Sequence, residues 1–102
     1  MIKATTFGVV TALALLSGKA LAHYPTLDCY QETGKLHCVA GFSDGSPAYD
    51  ETVEVRSYYD DVLHSITTDA NGEFQIPMPE GEFYVIFDPG HESPAEFDYA
   101  EL

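Results

Sequence analysis

The chain has 102 residues and carries seventeen carboxylates against four Lys and Arg, a formal net charge of −13 at pH 7. Nucleic acid and anionic membrane surfaces are held by clustered Lys and Arg, so this balance excludes both as partners, whereas cations, metal ions included, are enriched around it. A hydrophobic fraction of 45% with 13% aromatic residues excludes a disordered chain and provides one small domain with a modest core.

Residues 1–22 read as a secretory signal peptide: a basic start at Lys3, the apolar run "FGVVTALALL", and small residues at Ala20 and Ala22. Cleavage after Ala22 would leave a mature chain, residues 23–102, that begins with His23 and resides in the periplasm. The apolar run is shorter than the roughly 20 residues a membrane helix needs, and no later run is longer, so no direct membrane insertion is expected. The signal takes Lys3 and Lys19 with it. Lys35 and Arg56 then remain as the permanent cations against all seventeen carboxylates.

From His23 onward the pattern predicts strands. "LDCYQETGKLHCVAGF" is two runs about a Thr33-Gly34 turn, a hairpin signal. Along the second run Leu36, Cys38, Ala40 and Phe42 fall on one face, His37 and Val39 on the other. "SDGSPAYD" reads as a loop. "ETVEVRSYY" alternates Val53 and Val55 against Glu54 and Arg56. "VLHSITT", "EFQIP" and "EFYVIF" follow, divided by the turn clusters "DANG" and "PEGE", and a last short strand takes in "EFDY". These elements predict an all-β fold, a small single-domain sandwich of about seven strands.

The hairpin sets Cys29 opposite Cys38 at a pair where side chains approach closely. With export to an oxidising compartment, a disulfide is the expected state. A thiolate metal site joining Cys38 to His37 is the alternative, and strand alternation opposes it by sending these two residues to opposite faces.

Three segments carry a family likeness: Asp44-Gly45-Ser46-Pro47; Thr68-Asp69-Ala70-Asn71-Gly72-Glu73-Phe74; and Pro79-Glu80-Gly81-Glu82-Phe83-Tyr84-Val85. Together they resemble the carboxypeptidase regulatory-like domains, transthyretin-like sandwiches that serve mostly as binding or spacer modules. With Ala22-His23 and the segment "FDPGH", Phe87 to His91, the chain is also similar to the exported NikL- or CbiL-like accessory proteins of bacterial nickel and cobalt uptake. In this chain the glycine spacing before His91 is shortened and Pro89 is inserted. That resemblance implies a metal ion as ligand and a membrane metal transporter as partner.

The chemistry of the residues leads the same way. A free N-terminal His offers its α-amine and Nδ1 to one metal in a six-membered ring, and imidazole suits nickel, cobalt, copper and zinc. His91 follows Pro89-Gly90 on a loop and is the first choice for a further nitrogen; His37 and His64 are the others. Asp28, Asp88 and Glu92 could add oxygen or nearby charge. No phosphate loop, zinc-protease pattern or nucleophile elbow is present, so the chain reads as a non-enzyme. An N-terminal His also resembles copper-dependent polysaccharide oxygenases, whose extended substrate face this chain is too short to provide. Three functions stay open: a metal-binding protein for nickel or cobalt uptake, a periplasmic copper-homeostasis protein, and a structural module whose His residues are incidental.

Overall fold

A computed structural model describes residues 23–90 and 92–102; residues 1–22, where a signal peptide is expected, and His91 lie outside the described residues. The strands are β1 (Pro25–Glu32), β2 (Lys35–Phe42), β3 (Thr52–Ser57), β4 (Val62–Thr67), β5 (Glu73–Pro77), β6 (Phe83–Phe87) and β7 (Ala95–Asp98). They pair antiparallel into a three-stranded sheet, β1-β2-β5, and a four-stranded sheet, β4-β3-β6-β7. A 3-10 turn, Tyr99–Glu101, follows β7. The all-β architecture is the one the alternation predicts.

The first hairpin shows how the sequence sets the register. Thr33 and Gly34 both have positive φ, 51° and 76°, the backbone of a two-residue turn whose twist matches the strands it joins. Gly34 enters that region freely, and the Thr33 hydroxyl donates to the Glu32 carbonyl at 2.7 Å. From there the pairs run from Glu32 opposite Lys35 to Pro25 opposite Phe42, with Cys29 opposite Cys38. The two cysteines form a disulfide across a Cα–Cα distance of 4.1 Å, the closer of the two spacings an antiparallel ladder offers. Both sulfurs are thereby consumed, and the thiolate site is not formed.

The core lies between the sheets. Leu36, Cys38 and Ala40 enter it from β2, Val53 and Val55 from β3, and Phe83, Val85 and Phe87 from β6, every second residue in each case. The strand β4 departs from the simple reading. Its apolar run forms a strand, yet Val62 and Leu63 are exposed and only Ile66 is half-buried. Four strands face three, β1 packs against β7 and β6, and β4 therefore overhangs at the far edge. A bulge between Val55 and Arg56 further bends its pairing to β3.

The likeness segment Thr68 to Phe74 clamps one end of the sandwich. The buried Thr68 hydroxyl donates to the Ala48 carbonyl and accepts from the Glu51 N–H at 2.9 Å. The Gly72 carbonyl accepts from the Ala40 N–H at 2.7 Å. A Cβ at Gly72 would stand 2.1 Å from the Ala40 oxygen, and φ there is +76°, so only glycine allows this approach. Phe42 meets Phe87 edge-on, with ring centroids 5.7 Å apart. The end of β2, the loop that follows it and the loop opening at Asp88 are thus gathered at the same end as the start of β1.

Candidate functional site

The register of the first hairpin continues past the strands and builds the site. The Ser43 N–H donates to the Tyr24 carbonyl at 2.9 Å, and the Tyr24 N–H donates to Ser43 Oγ at 3.0 Å. One step further out, His23 faces Asp44, with Nδ1 3.1 Å from Oδ2. Asp44 stands on the tight loop that follows β2, beside the start of β1. Both side chains are accessible, 51% for His23 and 40% for Asp44.

Asp44 is held by its own loop. Its Oδ1 accepts the Ser46 N–H at 2.9 Å and the Ser46 hydroxyl at 2.7 Å. The loop is closed by Gly45 N–H donating to the Phe42 carbonyl and Phe42 N–H donating to the Ser46 carbonyl, both at 2.9 Å. The Ser46 hydroxyl, then the Ser46 N–H and, more weakly, the charge of His23 hold the Asp44 carboxyl below the usual carboxylate range. It is therefore an anion at neutral pH, with Oδ1 engaged and Oδ2 turned to His23.

The remaining sequence candidates lie elsewhere. His37 sits on the outer face of the three-stranded sheet, stacked on Tyr30 with centroids 4.9 Å apart and planes 5° apart; its Nε2 is buried without a hydrogen-bond partner. Between His37 and the end of β2 run five residues of extended chain, on the order of 17 Å, so His37 does not share a centre with His23. It borders a shallow hollow of about 470 Å³ with Tyr30, Val39, Asp69, Glu73 and Gln75. His64 lies on the overhanging β4, opposite Val55 in the other sheet. His91 lies outside the described residues. Asp28, within β1, accepts the Cys29 N–H on Oδ1 at 3.0 Å, Asp88 Oδ1 accepts the Gly90 N–H at 3.0 Å in the loop after β6, and Glu92 is exposed. Among the described residues no three His, Cys, Asp or Glu side chains gather into a group that could hold a metal ion.

Asp44 was not among the sequence candidates; the signal for it is the Asp44-Gly45 turn directly after β2, which sets a carboxylate on a tight loop beside the start of β1.

At the opposite end of the sandwich the polar pairs are structural. Arg56 donates twice to Glu54 Oε1, through Nε at 2.9 Å and its terminal nitrogen at 2.5 Å. Tyr58 donates to Asp98 at 2.5 Å, and Tyr84 to Asp60 at 2.6 Å. Compared with known proteins, the chain matches no family model, no curated protein and no solved structure.

Proposed function

We propose that this chain is an exported, non-catalytic carrier of a divalent transition metal, nickel or cobalt, and that it serves a membrane metal transporter from the periplasm. The metal is chelated by the first residue of the processed chain, through the His23 α-amine and Nδ1. The observation that carries this reading is the anchoring of that residue. Tyr24 is fixed to Ser43 by two hydrogen bonds, so His23 is presented on a folded end while half its side chain remains open to solvent. A chelate formed from an anchored residue loses less conformational freedom than one formed from a free tail.

The donors favour a borderline divalent ion over copper(I). Soft sulfur ligands select copper(I), but Cys29 and Cys38 are bonded to each other and Met78 packs against the core. Copper(II) binds the same nitrogens more tightly than nickel does in solution, so the supply in the compartment sets the cargo. The test is the metal content of protein isolated after export, followed by calorimetric titration of the stripped protein with nickel and cobalt. Stoichiometric binding of one ion supports the reading; no binding of nickel, cobalt or copper rejects it.

A further inference from the structure

We infer that the Asp44 carboxylate is the third ligand of the His23 centre, binding the ion through Oδ2 to complete a set of two nitrogens and one oxygen. This rests on the carrier reading above and concerns the same site. Donors about 2.0–2.1 Å from one metal lie about 3 Å apart at right angles and about 3.3 Å apart at the tetrahedral angle. The 3.1 Å between His23 Nδ1 and Asp44 Oδ2 falls within that range. An ion entering there displaces the proton that joins Nδ1 to Oδ2 and takes up two donors already at coordination spacing.

Three features of the loop make Asp44 a ligand rather than a passing charge. Its Oδ1 is occupied by the two Ser46 donors, which fixes the carboxylate plane and leaves Oδ2 as the free oxygen. A ligating carboxylate that is itself hydrogen-bonded is oriented before the metal arrives. The Tyr24–Ser43 hydrogen bonds and the tight loop closed between Phe42 and Ser46 together hold Asp44 beside His23. The carboxylate also offsets one positive charge of the ion, which two neutral nitrogens cannot do. Three ligands on an exposed end leave the remaining positions to water, or to a ligand from the protein that receives the metal. Such a centre exchanges its ion readily, as a carrier must.

The experiment compares the processed protein beginning at His23 with Asp44→Asn, by calorimetric titration with nickel. Asparagine keeps an Oδ1 acceptor for the two Ser46 donors and removes the anionic Oδ2, so the loop retains its bonds. Loss of a partner that only orients a ligand costs about 10–100-fold in affinity, and loss of Asp44 as a ligand should weaken binding at least about tenfold. A wild-type protein that binds nickel with an Asp44→Asn variant of equal affinity overturns the assignment of Asp44 and leaves the His23 chelate standing. A wild-type protein that binds no metal overturns the carrier reading and this inference with it. A second readout needs no variant: cobalt(II) bound to the wild-type protein should broaden the amide resonances of Asp44, Gly45 and Ser46 together with that of Tyr24. Broadening at Tyr24 that spares residues 44–46 also overturns the assignment.

Discussion

His23 and Asp44 meet at 3.1 Å, Nδ1 to Oδ2, where the start of β1 lies beside the tight loop that follows β2. The Tyr24–Ser43 hydrogen bonds and the closed loop over Phe42–Ser46 bring them together, and several outcomes follow from the centre proposed there.

Adding one Ala before His23 converts the α-amine to an amide, a very poor ligand while it keeps its proton. The imidazole survives but the chelate ring is lost. Nickel affinity should fall roughly 30- to 1,000-fold, equivalent to about 2–4 kcal/mol at about 1.4 kcal/mol per tenfold. Equal calorimetric affinities for the extended and processed proteins would show that the amine takes no part.

His37→Ala and His64→Ala should leave nickel affinity unchanged within error. His37 is stacked on Tyr30 on the outer sheet face, and His64 is on an edge strand of the other sheet. A tenfold loss in either variant, with an unchanged unfolding midpoint, would move the centre away from His23.

The Cys29–Cys38 bond closes a loop of about ten residues, for which chain entropy predicts about 2–3 kcal/mol of stabilisation. Intact mass of the native protein should be two hydrogens below that of the reduced chain. Reduction should lower the thermal midpoint by on the order of 10–20 °C, as about 4–8 °C accompanies each kcal/mol in a domain of this size. Two thiols that alkylate readily in the native protein would refute the bond.

Gly72→Ala should destabilise by upward of about 2 kcal/mol. The residue would be strained at positive φ, which alone costs of order 1–3 kcal/mol, and its Cβ would stand 2.1 Å from a backbone oxygen that cannot move away cheaply. Urea unfolding of the variant measures this. A shift below 0.5 kcal/mol would mean that the clamp between the β4–β5 turn and β2 is loose.

Tyr58 and Asp98 should report the opposite end of the sandwich through pH. Hydrogen bonding to Asp98 pushes the Tyr58 hydroxyl up to about 12 from an ordinary 10.0, and the same bond, first among its causes, lowers Asp98 from an ordinary 3.8. A raised tyrosine value stabilises the fold at every pH below 10 and loses that contribution as pH climbs through about 12. A lowered aspartate value stabilises above about pH 4 and is lost on acidification. Ultraviolet difference titration should show one tyrosine ionising near 12 that returns toward 10 in Asp98→Asn; an unchanged titration curve would mean that this bond does not persist in solution.

The sequence by itself determined the strands, their facing and the first hairpin. Alternation put Leu36, Cys38 and Ala40 on one side and His37 and Val39 on the other, and the Thr33-Gly34 turn paired Cys29 with Cys38. These are local relations, carried by period and turn chemistry within a few residues of chain. The partner of His23 was not legible by that counting, because Asp44 lies on the tight loop after β2, where the ladder has ended. Other features were decided only by the tertiary structure. Val62 and Leu63 look like core residues in the chain, yet a four-stranded sheet facing a three-stranded one leaves β4 uncovered. His37 and His64 look equivalent to His23 as ligands, but they stand on a sheet face and on the far edge because strand order, which depends on which sheet each strand joins, separates them. Only the close approach of the β4–β5 turn to β2 requires glycine at position 72, since the obstructing oxygen belongs to Ala40, more than thirty residues earlier in the chain.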